Sequence, residues 1–350
     1  MTTSLSAFDF DLPAELIAQA PRTPRDQARL FGLQLSSDTY THGRITDLTS
    51  LLMPGDVLVV NDTRVYPARL LGRRLPSGGS VECLLLSRLD SDRWEVLLHP
   101  GNKLKEGDLV IFEKGSYKLE LEVLSKHFFG RRTVRLSAVN KSEIFEAIDA
   151  IGHVPLPPYI KRADEEADLS RYQTVYARVR GSVAAPTAGL HFTPTLLEEI
   201  EKKGILITAV TLHVGYGTFQ PIRTQNIKDH SVGAELFDVT QEAAALINAA
   251  LDERRRVVAV GTTTTRVLET LAIRGEGRVF SGRGKTDLYI HPGFSFMVVD
   301  ALLTNFHLPR SSLLVLASAF AGRERLLSAY QEAIVRGYRF YSYGDAMFIS

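Results

Sequence analysis

The stretch from Gly181 to Pro221 constrains the fold more than any other part of the chain. It opens with Gly181-Ser-Val-Ala-Ala-Pro-Thr-Ala-Gly-Leu-His-Phe-Thr193 and closes with Val210-Thr-Leu-His-Val-Gly-Tyr-Gly-Thr-Phe-Gln-Pro221. Both ends are small, polar and glycine-rich, and each carries one histidine. Thr193 before Pro194 reads as a helix cap followed by proline at the first helical position. The helix Thr195–Lys203 then runs to Gly204. Ile205–Val214 is a nearly continuous apolar run, as a buried strand is. Loop, helix and strand make one αβ unit with His191 and His213 at opposite ends. Thr187 lies in the first loop. Gly189, Gly215 and Gly217 are expected to take positive φ or to let the backbone approach a ligand closely. The spacing leaves open whether the two loops meet.

A chain of 350 residues can bury a sizeable core and is expected to hold two domains. Its 45% hydrophobic and 23% charged residues are those of a soluble globular protein. With a formal net charge of +1, any nucleic-acid contact must come from local basic patches. Cys83 is the one cysteine, which excludes an intrachain disulfide and a cysteine zinc site. Met1–Phe10 has neither a basic nor an apolar leader character, so no signal peptide is expected. The longest uncharged apolar run, near Ser311–Gly322, is too short to cross a bilayer. A cytoplasmic enzyme or binding protein is the default expectation.

Taken in order, Ala14–Gln19 reads as a short helix stopped by Pro21. Arg22, Arg25, Asp26 and Arg29 then cluster before a strand, Leu30–Leu35. The cluster is either a solvated connection or a phosphate contact. The strand Val57–Val60 ends in Asn61-Asp62-Thr63-Arg64. Four polar residues there could line the crevice at a strand's carboxyl end, where ligands of open α/β sheets sit. A polar turn capped by Asp62 fits equally. From Ala68 to about Leu136, six short β-type runs alternate with turn signals, which predicts a small all-β barrel inserted into the larger domain. Arg131, Arg132 and Arg135 fall on its last strands. A helix, Ser142–Ile151, follows. The proline-rich return, Gly152–Arg162, carries Tyr159, Lys161 and Arg162, an aromatic and basic set of the kind that stacks on bases and pairs with phosphates. Arg171, Tyr172, Tyr176, Arg178 and Arg180 are read on a helical segment.

Beyond Pro221, Thr240–Glu253 is an amphipathic helix. The strand Arg256–Val260 runs into Gly261-Thr-Thr-Thr-Thr-Arg266. A strand, a glycine and hydroxyl residues opening a helix make an anion site by geometry, with Thr262, Thr263 and Arg266 as its candidates. Neither the lysine of a P-loop nor the spacing of a dinucleotide fingerprint is present. Thr286–Ile290 reads as a strand, and Asp300 sits among apolar neighbours. Leu303-Thr-Asn-Phe-His-Leu-Pro309 is a polar loop carrying Asn305 and His307. Ser311 can cap an apolar segment, Leu313–Phe320, of open type, and Gly322–Gly337 is a helix. The closing aromatics surround Asp345. Aromatic rings beside a carboxylate can hold a sulfonium, or they are ordinary core around a hydrogen-bonded aspartate.

Laid out together, these residues resemble one family closely, the S-adenosylmethionine:tRNA ribosyltransferase-isomerases of queuosine biosynthesis. The matching blocks are Asp9–Pro13, Arg25–Leu30, Pro54–Leu70, Gly181–Thr193, Val210–Pro221, Val258–Leu271, Thr286–Gly293, Asp300–Leu314 and Tyr338–Ile349. One departure stands out. Where the family has two histidines and a methionine before a Ser-Glu pair, this chain reads His230-Ser-Val-Gly-Ala-Glu235. The resemblance implies a larger α/β domain with a mixed sheet, residues 1–66 and 152–350, and an inserted six-stranded β-barrel, residues 67–151. It implies a monomer that takes S-adenosylmethionine as a ribosyl donor and co-substrate, without a metal. The acceptor it implies is 7-aminomethyl-7-deazaguanine at the wobble position of a tRNA, and the products epoxyqueuosine-tRNA, adenine and methionine. On that reading His191, His213, His307 and Asp300 are the acid/base candidates. Asp62, Thr187, Gly189, Gly215, Gly217, Thr262, Thr263, Arg266, Asn305 and Asp345 are candidates for the cofactor. Arg22, Arg25, Lys161, Arg162, Arg131 and Arg132 are candidates for tRNA phosphates. The rival readings are an S-adenosylmethionine-dependent tRNA methyltransferase and a non-catalytic RNA-binding protein.

Overall fold

The structure is a computed structural model that describes residues 3–139 and 143–350. The chain divides into two compact units. One comprises Met1–Arg64, Pro158–Arg162 and Gln173–Ser350, and the other Val65–Pro157 and Ala163–Tyr172.

A nine-stranded mixed sheet forms the first unit. Its order is Gly282–Thr286, Glu235–Val239, Leu206–Leu212, Val57–Asn61, Val257–Val260, Ala301–Asn305, Ala346–Ile349, Arg29–Gln34 and Thr39–Arg44. Four central strands run parallel: Leu206–Leu212, Val57–Asn61, Val257–Val260 and Ala301–Asn305. Strands Glu235–Val239 and Ala346–Ile349 flank these four antiparallel. The central strands are apolar at successive positions because both sheet faces are covered. Val57 and Val59 pack with the helices Gln241–Asp252, Thr262–Arg274 and Ser312–Ala321. Leu58 and Val60 pack on the other face with Leu196 and Ile200 of the helix Pro194–Lys202. Three layers result, helices on both sides of one sheet.

Several local expectations change. Ser312–Ala321 is a helix, with Ser311 Oγ accepting from Leu314 N at 3.2 Å. Ala14–Gln19 shortens to a 3-10 turn, Ala14–Leu16. Tyr172–Arg180 is not helical: the helix Asp168–Arg171 ends before it, and a strand, Val179–Ser182, begins within it. The strand expected at Thr286–Ile290 is instead Gly282–Thr286. Thr286 Oγ1 accepts from Leu288 N at 3.2 Å and turns the chain out of the sheet. The expected helix start at Ser142 lies outside the described residues, and the helix itself is Ile144–Ile151.

The second unit holds a closed six-stranded antiparallel barrel, in the order Arg131–Ala138, Arg93–His99, Ser80–Arg88, Arg69–Leu75, Leu109–Lys114 and Tyr117–Lys126. Alternate residues fill it, among them Val81, Cys83, Leu85, Val96, Leu98, Leu121 and Val123. That is the period-two pattern of strands with one buried face.

Candidate functional site

Sheet topology gathers one set of loops at a single edge. The parallel strands end there at Asn61, Leu212, Val260 and Asn305. Antiparallel pairing brings Ala346 opposite Asn305, and Glu235 opposite Thr286 beside the end of Leu206–Leu212. The parallel pairing of Leu30 with Ala346 adds the segment before Arg29. This is the crevice outside the carboxyl ends of the strands.

Both ends of the Gly181–Pro221 stretch meet at this edge. Val183 N and Ala184 N donate to Val214 O at 3.0 and 3.2 Å. Ser182 Oγ accepts from Val214 N at 2.6 Å. Gly181 is thereby pressed against the His213 ring. His213 Nδ1 lies 2.9 Å from Thr63 Oγ1, whose hydroxyl donates to Val179 O at 3.5 Å. Burial lowers the His213 pKa, opposed by the charges of Asp62 and Asp238. Asp62 accepts from Thr211 Oγ1 at 2.6 Å and from Arg178 Nη2 at 2.9 Å. Asn61 ties two strand ends to the neighbouring helix. Its Oδ1 accepts from Leu212 N at 3.0 Å, and its Nδ2 donates to Leu212 O at 3.1 Å and Thr263 Oγ1 at 3.3 Å.

His191 ends the 3-10 turn Thr187–His191 and is buried. Asn305 fixes it. Asn305 Oδ1 accepts from Thr187 Oγ1 at 3.1 Å, and Nδ2 donates to Tyr341 O at 3.2 Å. The same Nδ2 faces His191 Nε2 at 3.1 Å. An amide nitrogen only donates, so Nε2 accepts and the ring proton sits on Nδ1. Burial, then the charges of Arg339 and Arg25, push the His191 pKa down to about 4. His307 is also buried, with Nε2 2.9 Å from Thr304 Oγ1, and burial pushes its pKa down to about 3.

The helix Thr262–Arg274 opens at Gly261, whose φ is +88°. Its first-turn amides and positive end face the same edge. Thr262 and Thr263 lie in that turn. Thr264 and Thr265 spend their hydroxyls on Val260 O and Gly261 O. Arg266 is committed internally. It pairs with buried Glu235 and donates from Nε to Leu288 O at 3.0 Å. Glu235 Oε1 in turn accepts from Gly215 N at 2.8 Å. Arg266 therefore supports the Gly215 turn through Glu235. Gly189, Gly215 and Gly217 are absent from the positive-φ residues. Gly189 is required instead because Tyr176 Oη and Thr174 Cγ2 fill the space of a Cβ.

Two further candidates are placed elsewhere or otherwise engaged. Asp300 stands at the opposite sheet edge, before the start of Ala301–Asn305, and accepts from Val257 N at 2.8 Å. Asp345 is fully buried at the crevice, but its oxygens take Arg29 N at 2.9 Å and Arg339 N at 2.8 Å. It anchors the closing loop.

Among the basic candidates, Arg25 reaches inward to Gln173 O at 2.5 Å. Arg22 Nε lies 3.9 Å from Asp345 Oδ1. Lys161 is exposed, and Arg162 donates to Gln19 O at 3.2 Å. On the barrel, Arg131 pairs with Glu95 at 3.1 Å. Arg132 is 1% exposed and donates to Gly101 O at 2.5 Å and Arg131 O at 2.8 Å. A guanidinium buried on carbonyls holds the barrel together and does not reach a phosphate. The polar tetrad Asn61–Arg64 is read from the sequence as a possible crevice lining, and Asn61 and Thr63 do stand at this edge; Glu235 carries no site signal in the sequence. No group of three or more His, Cys, Asp or Glu side chains among the described residues could hold a metal, and no helix there is long and apolar enough to cross a membrane.

Comparison with known proteins fits this geometry. A family profile described as queuosine biosynthesis protein matches residues 5–349. The S-adenosylmethionine:tRNA ribosyltransferase-isomerase of Heliobacterium modesticaldum is 51% identical over 345 residues, covering 99% of each chain. That of Desulfitobacterium hafniense is 50% identical over 348 residues, again with 99% of each chain covered. The crystal structure of the S-adenosylmethionine tRNA ribosyltransferase of Thermotoga maritima, 37% identical, covers 98% of this chain and 100% of its own with a TM-score of 0.56.

Proposed function

Because the chain belongs to the queuosine biosynthesis protein family, we propose that the carboxyl-end crevice is where S-adenosylmethionine meets a tRNA base. The protein is an enzyme that transfers the ribosyl group of S-adenosylmethionine to tRNA and isomerises it in queuosine synthesis. The acceptor is 7-aminomethyl-7-deazaguanine at the wobble position, and the products are epoxyqueuosine-tRNA, adenine and methionine. Full-length identity of about half to proteins of that activity carries the reading. It favours neither a methyltransferase nor a non-catalytic RNA-binding protein. A tRNA substrate is consistent with a cytoplasmic enzyme working as a monomer.

The chemistry assigns different work to the three histidines. A sulfonium acidifies the neighbouring ribose C5′ protons, so the first step asks for a base. His213 suits it best. In the tautomer that donates from Nδ1 to Thr63 Oγ1, 2.9 Å away, its Nε2 is a lone pair. Its lowered pKa keeps the ring neutral at working pH. His191 has its Nε2 lone pair occupied by Asn305, so it offers only an Nδ1–H donor. That suits a hydrogen bond to the departing adenine or to a ribose oxygen. His307, bonded to Thr304 and buried, positions the loop after Asn305. The first-turn amides of Thr262 and Thr263 suit the methionine carboxylate. Sulfonium polarity and buried donors can supply this chemistry without a metal.

The decisive experiment is product analysis with S-adenosylmethionine and tRNA carrying the precursor base. Adenine and methionine with a ribosylated tRNA is the expected result. S-adenosylhomocysteine would instead mean methyl transfer, and tRNA retention with no cofactor consumed would mean a binding module.

A further inference from the structure

One residue in the closing loop has a conformation and a polar group that packing alone does not explain. Tyr341 has a φ of +74°, a region where a bulky side chain is strained and where functional residues concentrate. Its side chain is 6% exposed, and its hydroxyl is buried with no hydrogen-bond partner among the described residues. Unpaired buried donors are selected against unless something uses them. Its backbone is nonetheless fixed at the crevice. Tyr341 N donates to Phe306 O at 3.0 Å, and its carbonyl accepts from the Asn305 amide that also holds His191.

Around Tyr341 the packing is aromatic. Its ring lies on Tyr159, with centroids 4.2 Å apart and 31° between planes. Phe219 meets Tyr159 edge-on at 6.0 Å, and Tyr216 meets Phe219 at 6.3 Å. Tyr216 and Phe219 are half-buried on the turn that follows His213, Val214 and Gly215. Beside them, nothing lies within 4 Å of where a Gly217 Cβ would stand. The acid/base and carboxylate roles assigned to the crevice leave these four rings unused.

We propose that Tyr341, Tyr159, Phe219 and Tyr216 form a subsite for a purine-type base, with the Tyr341 hydroxyl donating to the edge of that base. Flat apolar faces hold any heterocycle by stacking, and one buried donor gives the site a preferred orientation. Burial raises the Tyr341 pKa, so its hydroxyl stays a donor across the working range. The inference rests on the functional reading above, which supplies two such bases: the adenine of S-adenosylmethionine and the deazaguanine of the tRNA.

Two variants test it. Tyr341→Phe removes the unpaired hydroxyl alone, and Phe219→Ala removes one apolar face. S-adenosylmethionine affinity by calorimetry, precursor-tRNA affinity by filter binding, and Tm are measured for each. Tyr341→Phe should hold or raise Tm while weakening one ligand about tenfold. A merely structural hydroxyl cannot give that opposition. Phe219→Ala should weaken the same ligand by roughly tenfold or more. Loss of S-adenosylmethionine affinity assigns the subsite to adenine, and loss of tRNA affinity alone assigns it to the deazaguanine. Wild-type affinity of both variants for both ligands overturns the proposal. A wild-type protein that releases no adenine removes the functional reading itself, and the subsite with it.

Discussion

A Cβ built on Gly181 would stand 2.5 Å from His213 Cε1 and 2.8 Å from Nε2, closer than real contacts allow. The glycine is what lets the imidazole lie against the backbone with Nδ1 on Thr63. Gly181→Ala should therefore push the ring off Thr63 without emptying the core. A misplacement of about 1 Å at a reacting group costs on the order of a hundredfold in rate. We expect kcat for adenine release to fall by about that factor, with KM for S-adenosylmethionine within about threefold. An unchanged kcat would remove His213 as the base.

His191 and His307 couple the site to acid stability. Their folded pKa values, about 4 and about 3, lie below the ordinary value of 6.5. Below pH 6.5 the unfolded chain takes up protons that the folded chain refuses, so the folded state loses stability as pH falls. The loss starts below pH 6.5 and is complete only near the folded pKa values. Each histidine contributes a slope of about 1.4 kcal/mol per pH unit where it is fully engaged. His307→Asn should thus flatten the dependence between pH 6 and 5 by about one proton's worth in urea unfolding. A parallel line for variant and wild type would mean that His307 titrates normally in the folded protein.

The physical reach of the sequence differs from element to element. The barrel was legible because its strands alternate in burial, as in Arg93–His99 and Ser80–Arg88, and turn residues separate them. Three of the four central strands were legible as apolar runs; Ala301–Asn305 was not, because Leu303, Thr304 and Asn305 read as the start of a polar loop. The edge strand Thr39–Arg44 was not, because its side chains are mostly exposed and carry no pattern. The site was half legible. Polar residues that interrupt an apolar run, such as Asn61 and Asn305, mark strand ends wherever the sheet places them. Which partner each polar group takes depends on strands far apart in sequence. Arg266 looked like a ligand contact because nothing local showed that Glu235, on a strand two positions away in the sheet from Val57–Asn61, would take its charge. Asp300 misled for the same reason: an apolar setting does not say at which end of the strand a carboxylate lies.

The Glu235–Arg266 pair gives a measurable consequence. Their side chains are 9% and 10% exposed, so each charge depends on the other. Glu235→Ala leaves a buried guanidinium unpaired and the Gly215 amide without its acceptor. Breaking one side of such a pair costs about 3–5 kcal/mol. The Glu235→Ala/Arg266→Met double variant should recover much of that loss, because no charge is left stranded. Urea unfolding of the two single variants and the double variant measures the coupling, and strictly additive losses would show that the two side chains do not act as a pair.

If Lys161 and Arg22 pair with tRNA phosphates, charge removal separates them from the basic residues that hold the fold. Leaving one phosphate without its cation lowers the slope of log affinity against log salt by about 0.7–0.9. Lys161 is exposed beside the crevice-edge segment that Gln19 fixes, through Lys161 N to Gln19 Oε1 at 2.8 Å. Lys161→Ala and Arg22→Ala should each reduce the slope by about one phosphate's worth and leave Tm nearly unchanged. Arg132 behaves oppositely. Its guanidinium is buried on the Gly101 and Arg131 carbonyls, so Arg132→Ala should lower Tm and leave the salt slope alone. Filter binding between about 50 and 200 mM salt, the range over which phosphate pairing changes affinity by orders of magnitude, makes the comparison. A slope that falls for Arg132→Ala and stays fixed for Lys161→Ala would place the tRNA on the barrel face and reverse the assignment.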